Sequence, residues 1–150
     1  MTVQVRLETV EPMVIAAVHR QTTFPQISGV FLAGLDLVWA LVRNRSLQFG
    51  HNVGVYRKLG GQDVALTCGV QVAAPFQDEG QVVCTQTPGG DWATAVHVGD
   101  YARMGATYDA IAAWAIQNGY RLAGTNMEVY GDWDSDPAKV ETKLHMLIAP

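Results

Sequence analysis

The stretch Asn126-Met-Glu-Val-Tyr130 repeats an earlier stretch of the same chain, Asn52-Val-Gly-Val-Tyr56. Apolar and polar residues mix in both with the short period that is typical of β-strands. The two copies differ at their centre, where Gly54 corresponds to Glu128. Since side chains two residues apart share one face of a strand, Glu128 and Tyr130 are expected to point the same way. The chain therefore contains a duplicated strand, and only the second copy of that strand carries an acid.

Other short motifs repeat in the same order around these two strands. The matching pairs are Ala17-Val-His19 with Ala95-Val-His97, Trp39-Ala40 with Trp114-Ala115, and Ala74-Pro75 with Ala149-Pro150. Self-similarity that runs through a whole chain indicates a duplicated structural unit. We therefore predict a single domain over residues 1–150 that consists of two repeats, about 3–75 and 81–150.

Each repeat reads in the order strand, helix, strand, strand. The spacing of apolar residues predicts a helix over Ile27–Asn44. A second helix is predicted over Tyr101–Asn118, because Asp100 can serve as its N-cap and Gly119 is a typical C-terminal signal. Strands are predicted over Val3–Leu7, Met13–His19, Val53–Leu59, Val64–Ala73, Gln81–Thr85, Trp92–Val98, Asn126–Gly131 and Glu141–Ile148. The expected fold class is α+β: an antiparallel-rich sheet with two long helices on one face and a cleft at a pseudo-two-fold axis. Such clefts are common ligand sites.

The composition excludes several classes of protein. Hydrophobic residues make up 49% of the chain and charged residues 16%, which predicts a folded domain with a sizeable core. The net charge is -4 and no basic run occurs, so direct nucleic-acid binding is not expected. No signal peptide is recognisable, and Gly29, Gly34 and Asp36 interrupt the apolar stretch Ile27–Val42, so neither secretion nor a membrane span is expected. We expect a cytoplasmic protein.

Motifs for metal, cofactor or nucleophile chemistry are not recognisable. The four histidines, at positions 19, 51, 97 and 145, lack metal-ligand spacing. Phosphate-loop, dinucleotide-binding and nucleophile-elbow sequences are absent as well. We therefore predict no metal, no cofactor and no catalytic residue. Cys68 and Cys84 lie in strand-like runs and are expected to be free core thiols, with a disulfide as the alternative.

The second repeat carries a distinctive combination of motifs. It consists of the stretch Thr87-Pro-Gly-Gly-Asp-Trp-Ala-Thr-Ala-Val-His-Val-Gly-Asp-Tyr101, a helix that ends in Trp114, and the strand Met127-Glu-Val-Tyr130. This combination resembles the GyrI-like effector-binding family, and the resemblance covers nearly the whole chain. Domains of that family form the ligand-sensing part of multidrug-responsive transcription activators and also occur alone. The resemblance implies the doubled fold and the binding of lipophilic, often cationic, aromatic compounds.

The resemblance also assigns roles within the expected pocket. It makes Glu128 the cation-binding acid and Tyr130 a pocket-lining residue. An unpaired carboxylate in an apolar site is costly, and a weakly hydrated organic cation offsets that cost. Aromatic faces add about 0.5–2 kcal/mol each through cation–π attraction, so such a site would be broadly selective. Further residues that are expected to line the pocket are Trp39, Tyr56, Trp92, Met104 and Tyr108. Val140 stands where some relatives place an aromatic residue, which implies a more open cage.

Two other functions stay open. Some stand-alone members of the family are implied to hydrolyse strained cyclopropane-bearing toxins, with Glu128 directing water in the same pocket. Alternatively, the small-residue face of the first helix, with Gly29, Ala33 and Ala40, could bind a regulatory protein partner or a second copy of the chain. An amphipathic small-molecule ligand is the expected partner. DNA-binding helices do not precede the domain in this sequence, so we expect no promoter recognition.

Overall fold

The chain folds into two compact units. A computed structural model describes residues 3–150. One unit is Pro12–Pro88, here called the N-terminal unit; the C-terminal unit combines the described part of Met1–Glu11 with Gly89–Pro150. In chain order the elements are β1 (Arg6–Val10), β2 (Val14–Thr23), α1 (Ile27–Asn44), β3 (Phe49–Gly60), β4 (Asp63–Val72), β5 (Val83–Gln86), β6 (Gly90–Val98), α2 (Met104–Gln117), β7 (Leu122–Tyr130) and β8 (Glu141–Ile148).

Each unit contains the same strand-helix-strand-strand arrangement. In the N-terminal unit the strands lie in the order β3-β4-β2-β5, and in the C-terminal unit in the order β1-β6-β8-β7. The strand pairs within each unit are antiparallel. In both units the last strand of the repeat lies between the other two, and one long helix packs on the sheet. The predicted α+β class, with duplicated units and two long helices, is confirmed.

Several element boundaries differ from the sequence prediction. Helix α1 and strand β8 have the predicted limits, whereas the second helix begins with a 3-10 turn at Tyr101–Arg103 that precedes α2. The Asp100 carboxylate caps this turn by accepting a hydrogen bond from the amide of Ala102 at 3.0 Å. Strand β1 pairs with β6 and thus belongs to the C-terminal unit, whereas β5 pairs with β2 in the N-terminal unit.

Helix α1 packs closely on β2 and β4. Gly34 makes this approach feasible, because a Cβ at this position would lie 2.8 Å from Val18 Cγ2 and 2.9 Å from Cys68 Sγ. Cys68 is a free thiol there, and burial raises its pKa to about 11. By length and composition alone Phe24–Asn44 could cross a membrane, and a core helix passes the same test. In this fold the apolar face of α1 covers the sheet.

The C-terminal unit buries an apolar cluster between α2 and its sheet. The buried members are Ala93, Ala95, Ile111, Ala115, Leu144 and Met146. Alternate residues of β6 and β8 supply this face, so the intervening residues point to the opposite face. Trp92 and His145 lie on that opposite face, and their rings meet edge to face with centroids 5.8 Å apart.

His145 makes the stability of the fold sensitive to acid. Its ring Nδ1 donates a hydrogen bond to the carbonyl of Met127 at 3.1 Å, and burial lowers the pKa of the imidazole below its ordinary value of 6.5. The unfolded chain then binds more protons than the native chain as the pH falls through 6.5, so stability is lost in that range. Hydrogen bonds from Lys143 and Thr94 lower the pKa of Glu8 below 4.5, so a second loss begins below that pH.

We therefore expect the urea midpoint to fall between about pH 7.5 and about pH 5. His145→Gln keeps an amide donor for Met127 and removes the titrating ring, so it should flatten this part of the profile. His19→Gln, which replaces an exposed histidine, is the matched control and should leave the slope in place. An unchanged slope in His145→Gln would contradict the assignment.

Candidate functional site

Glu128 lies on the face of the C-terminal sheet that α2 covers. It sits on β7 directly opposite Leu144 of β8, which belongs to the apolar cluster beneath α2. Tyr130 shares its face, and Met127 and Val129 point to the other side. Tyr108 lies on α2 one turn before Ile111, so its side chain is aimed along the same face. The sheet and the helix thus bring Glu128, Tyr130 and Tyr108 together.

Both oxygens of the Glu128 carboxylate accept hydrogen bonds from tyrosines. The Tyr108 hydroxyl donates to Oε2 at 2.7 Å, and the Tyr130 hydroxyl donates to Oε1 at 2.5 Å. All three side chains are half-buried. The expectation of an unpaired carboxylate therefore needs correction: two phenols hold the acid in a fixed orientation. Hydrogen bonds to an ionised acceptor are stronger than those between neutral groups.

Tyr101 extends the aromatic surface beside the acid. Its ring meets the Tyr130 ring edge to face, with centroids 6.0 Å apart, and 55% of Tyr101 is exposed. The sequence prediction did not include Tyr101 in the site, although it ends the His-x-Gly-x-Tyr motif. The cluster formed by Tyr101, Tyr108, Glu128 and Tyr130, here called the tyrosine–glutamate cluster, combines one carboxylate with three phenol rings.

The N-terminal unit fills the corresponding position differently. A Cβ at Gly54 would lie 2.6 Å from the hydroxyl oxygen of Tyr56 and 2.9 Å from its ring. The Tyr56 ring therefore folds over Gly54 and takes the space that a side chain would need. Phe31 of α1 lies next to it, with ring centroids 6.4 Å apart. The space beside Gly54 is thus occupied by the tyrosine two residues further on.

The other residues that were predicted to line the pocket do not share one environment. Met104 is one turn before Tyr108 on α2 and packs against the apolar cluster. Trp92 is fully buried on the sheet face opposite Glu128, because position 92 alternates with the cluster residues 93 and 95. Trp39 of the N-terminal unit donates its indole N–H to Asn52 at 2.9 Å and stacks edge to face on Phe49. The structure therefore does not bring Trp92 to Glu128.

His97 has both ring nitrogens engaged in the fold. Nε2 donates to the carbonyl of Asp100 at 2.7 Å, which leaves Nδ1 to accept from the Thr107 hydroxyl at 2.7 Å. These bonds tie the end of β6 to the start of α2, which is a structural role. Within residues 3–150, no group of three or more His, Cys, Asp and Glu side chains is placed to hold a metal ion.

Comparison with known proteins gives a family match over almost the whole chain. Residues 3–148 match the family model described as the GyrI-like small molecule binding domain. No curated protein matches the sequence.

Solved structures with low sequence identity share the fold. The crystal structure of the EcmrR C-terminal domain has a TM-score of 0.84 at 16% identity and covers 99% of each chain. The structure of SAV2435 bound to tetraphenylphosphonium has a TM-score of 0.73 at 11% identity, with 99% of this chain and 94% of that chain covered. A hydrolase from Listeria innocua has a TM-score of 0.68 at 12% identity, with 97% and 92% covered. At such identities these likenesses show a common architecture.

Proposed function

Since this chain belongs to the GyrI-like small-molecule-binding family, we propose that it binds lipophilic, cationic aromatic compounds at the tyrosine–glutamate cluster. The observation that carries the proposal is the Glu128 carboxylate held by the hydroxyls of Tyr108 and Tyr130. A carboxylate supplies charge, and phenol rings supply flat, polarisable faces. Together they match a cation whose charge is spread over aromatic groups.

Physical chemistry favours this ligand class over neutral or anionic ones. A delocalised organic cation is weakly hydrated and therefore loses little when it leaves water. Each ring face that it meets contributes about 0.5–2 kcal/mol by cation–π attraction. The carboxylate adds attraction that grows as the ligand displaces water from the half-buried site. Tyr101 is the most exposed member of the cluster, which makes it the ring best placed to meet an incoming ligand first.

Binding is favoured over hydrolysis because the family model that covers residues 3–148 describes small-molecule binding. The two tyrosine hydroxyls hold the Glu128 carboxylate in one orientation, which suits a fixed charge in a binding site. The neighbouring Listeria innocua hydrolase shares only the fold at 12% identity.

A pair of ions with equal shape and opposite charge tests the proposal. Tetraphenylphosphonium and tetraphenylborate have the same four phenyl rings, so only the charge sign separates them. We expect the protein to bind the phosphonium at least about tenfold more tightly, a difference of about 1.4 kcal/mol. Isothermal titration of both ions at one ionic strength measures the ratio. Equal affinities, or tighter binding of the borate, would remove the role of the carboxylate and with it the proposed ligand class.

A further inference from the structure

A separate cavity lies on the face of the C-terminal sheet that points away from α2. Its volume is about 330 Å3, and the chain around β1, together with β6 and β8, lines it. Arg6 pairs with Thr94, and Val96 pairs with Lys143, so these four side chains share one face. A volume of this size lies at the lower end of the range for small-molecule sites, roughly 300–1,000 Å3. The tyrosine–glutamate cluster is on the other face and takes no part in this cavity.

One acid and one base of the cavity neutralise each other. Lys143 Nζ lies 3.0 Å from Glu8 Oε1 and 2.8 Å from Oε2. The Thr94 hydroxyl donates a second hydrogen bond to the same carboxylate, at 2.5 Å. The Glu8 carboxylate therefore holds Lys143 against the cavity wall, and the pair adds no net charge.

Arg6 supplies an unmatched positive charge. Its guanidinium makes no hydrogen bond or ion pair with any residue that the structure describes, and its side chain is exposed at the cavity. With Glu8 and Lys143 paired, the cavity carries a formal charge of about +1 in a chain whose net charge is -4. Five N–H donors in a planar fork match the two oxygens of a carboxylate. Val96, which is 48% exposed, adds an apolar surface beside this charge.

We propose that this cavity is a second binding site, which takes a small organic monocarboxylate. The ligand carboxylate pairs with the Arg6 fork, and its apolar body lies against Val96. A single negative charge balances the formal charge of about +1 that the cavity carries. Neutral compounds lack the group that the guanidinium selects. This site is independent of cation binding at Glu128.

Benzoate and benzamide provide matched probes of charge. We expect benzoate to cause saturable shifts of backbone amide signals in β1 and β6 in two-dimensional NMR spectra of the full chain. Benzamide has the same ring and no charge, so it should cause none. Shifts that do not saturate, or equal effects of benzamide, would overturn the proposal.

Two arginine variants locate the site. Arg6→Gln should weaken benzoate binding at least about tenfold without unfolding the protein, since the guanidinium has no hydrogen bond or ion pair with a residue in the range 3–150. Arg57→Gln, which removes an exposed arginine from β3, should leave benzoate affinity unchanged. Glu128→Gln should also leave it unchanged, which separates this site from the cation site. Equal affinities of Arg6→Gln and the native chain would refute the assignment.

Discussion

Glu128→Gln is expected to weaken tetraphenylphosphonium binding by about 10–100-fold, or about 1.4–2.8 kcal/mol. Two opposite charges about 5 Å apart attract by roughly 3 kcal/mol at the effective dielectric constant of a half-buried site, before desolvation is subtracted. Glutamine keeps the size of the side chain and one oxygen that accepts a tyrosine hydroxyl. The loss should therefore report the missing charge, and the melting temperature should stay close to that of the native chain.

Removal of a different, exposed acid tests whether the loss of affinity depends on the position of Glu128 or only on the net charge of the protein. Glu141→Gln removes the same charge from an exposed position on β8 of the same unit. It should change tetraphenylphosphonium affinity by less than about twofold, because exposed charges are strongly screened. Titration of both variants at one salt concentration gives the comparison. Equal losses in the two variants would show that net charge, and no particular carboxylate, attracts the cation.

Gly34→Ala is expected to destabilise the fold by about 1–3 kcal/mol, the usual cost of overpacking a core. The added methyl group would lie 2.8 Å from Val18 and 2.9 Å from Cys68, so α1 must lift from the sheet or both side chains must move. Helix propensity favours alanine over glycine by up to about 1 kcal/mol, which opposes but does not cancel this cost.

Gly29→Ala on the same helix is the control. Among the described residues, nothing outside the helix's own backbone lies within 4 Å of a Cβ at position 29, so alanine meets no obstacle there. The variant should gain about 0.4–1 kcal/mol, because alanine restricts the unfolded chain. Urea unfolding of both variants measures the two free energies. A Gly34→Ala protein as stable as Gly29→Ala would show that α1 does not depend on its close approach to β2 and β4.

The sequence repeat was sufficient to predict the architecture of each unit. The paired motifs around Tyr56 and Tyr130 predicted two strand-helix-strand-strand units, and the apolar spacing in Ile27–Asn44 predicted α1 to the residue. Strand β1 was harder to place, because a short strand that pairs with β6, more than 80 residues later, carries no local signal of its partner. Its position depends on long-range pairing, which sequence periodicity does not report.

The candidate site was only partly accessible from the sequence. The period of two along β7 places Glu128 with Tyr130, and α2 adds Tyr108, so these three residues stay in the proposed site. The hydrogen bonds between them depend on the distance from helix to sheet, which residue patterns do not contain. The prediction for Trp92 was wrong for a different reason. Its aromatic side chain made it a candidate, but the alternation of side chains along β6 places it on the sheet face opposite Glu128. Tyr101 was overlooked because it precedes α2 and meets Tyr130 only in three dimensions.

A crystal structure of the protein soaked with tetraphenylphosphonium would show directly whether the cation binds beside Glu128. We predict that the phosphonium lies on the α2 side of the C-terminal sheet, with Glu128 as its nearest carboxylate and the Tyr101 and Tyr130 rings in contact with its phenyl groups. A phosphonium bound elsewhere on the molecule, with Glu128 still held by its two tyrosines and no ligand beside it, would contradict the account.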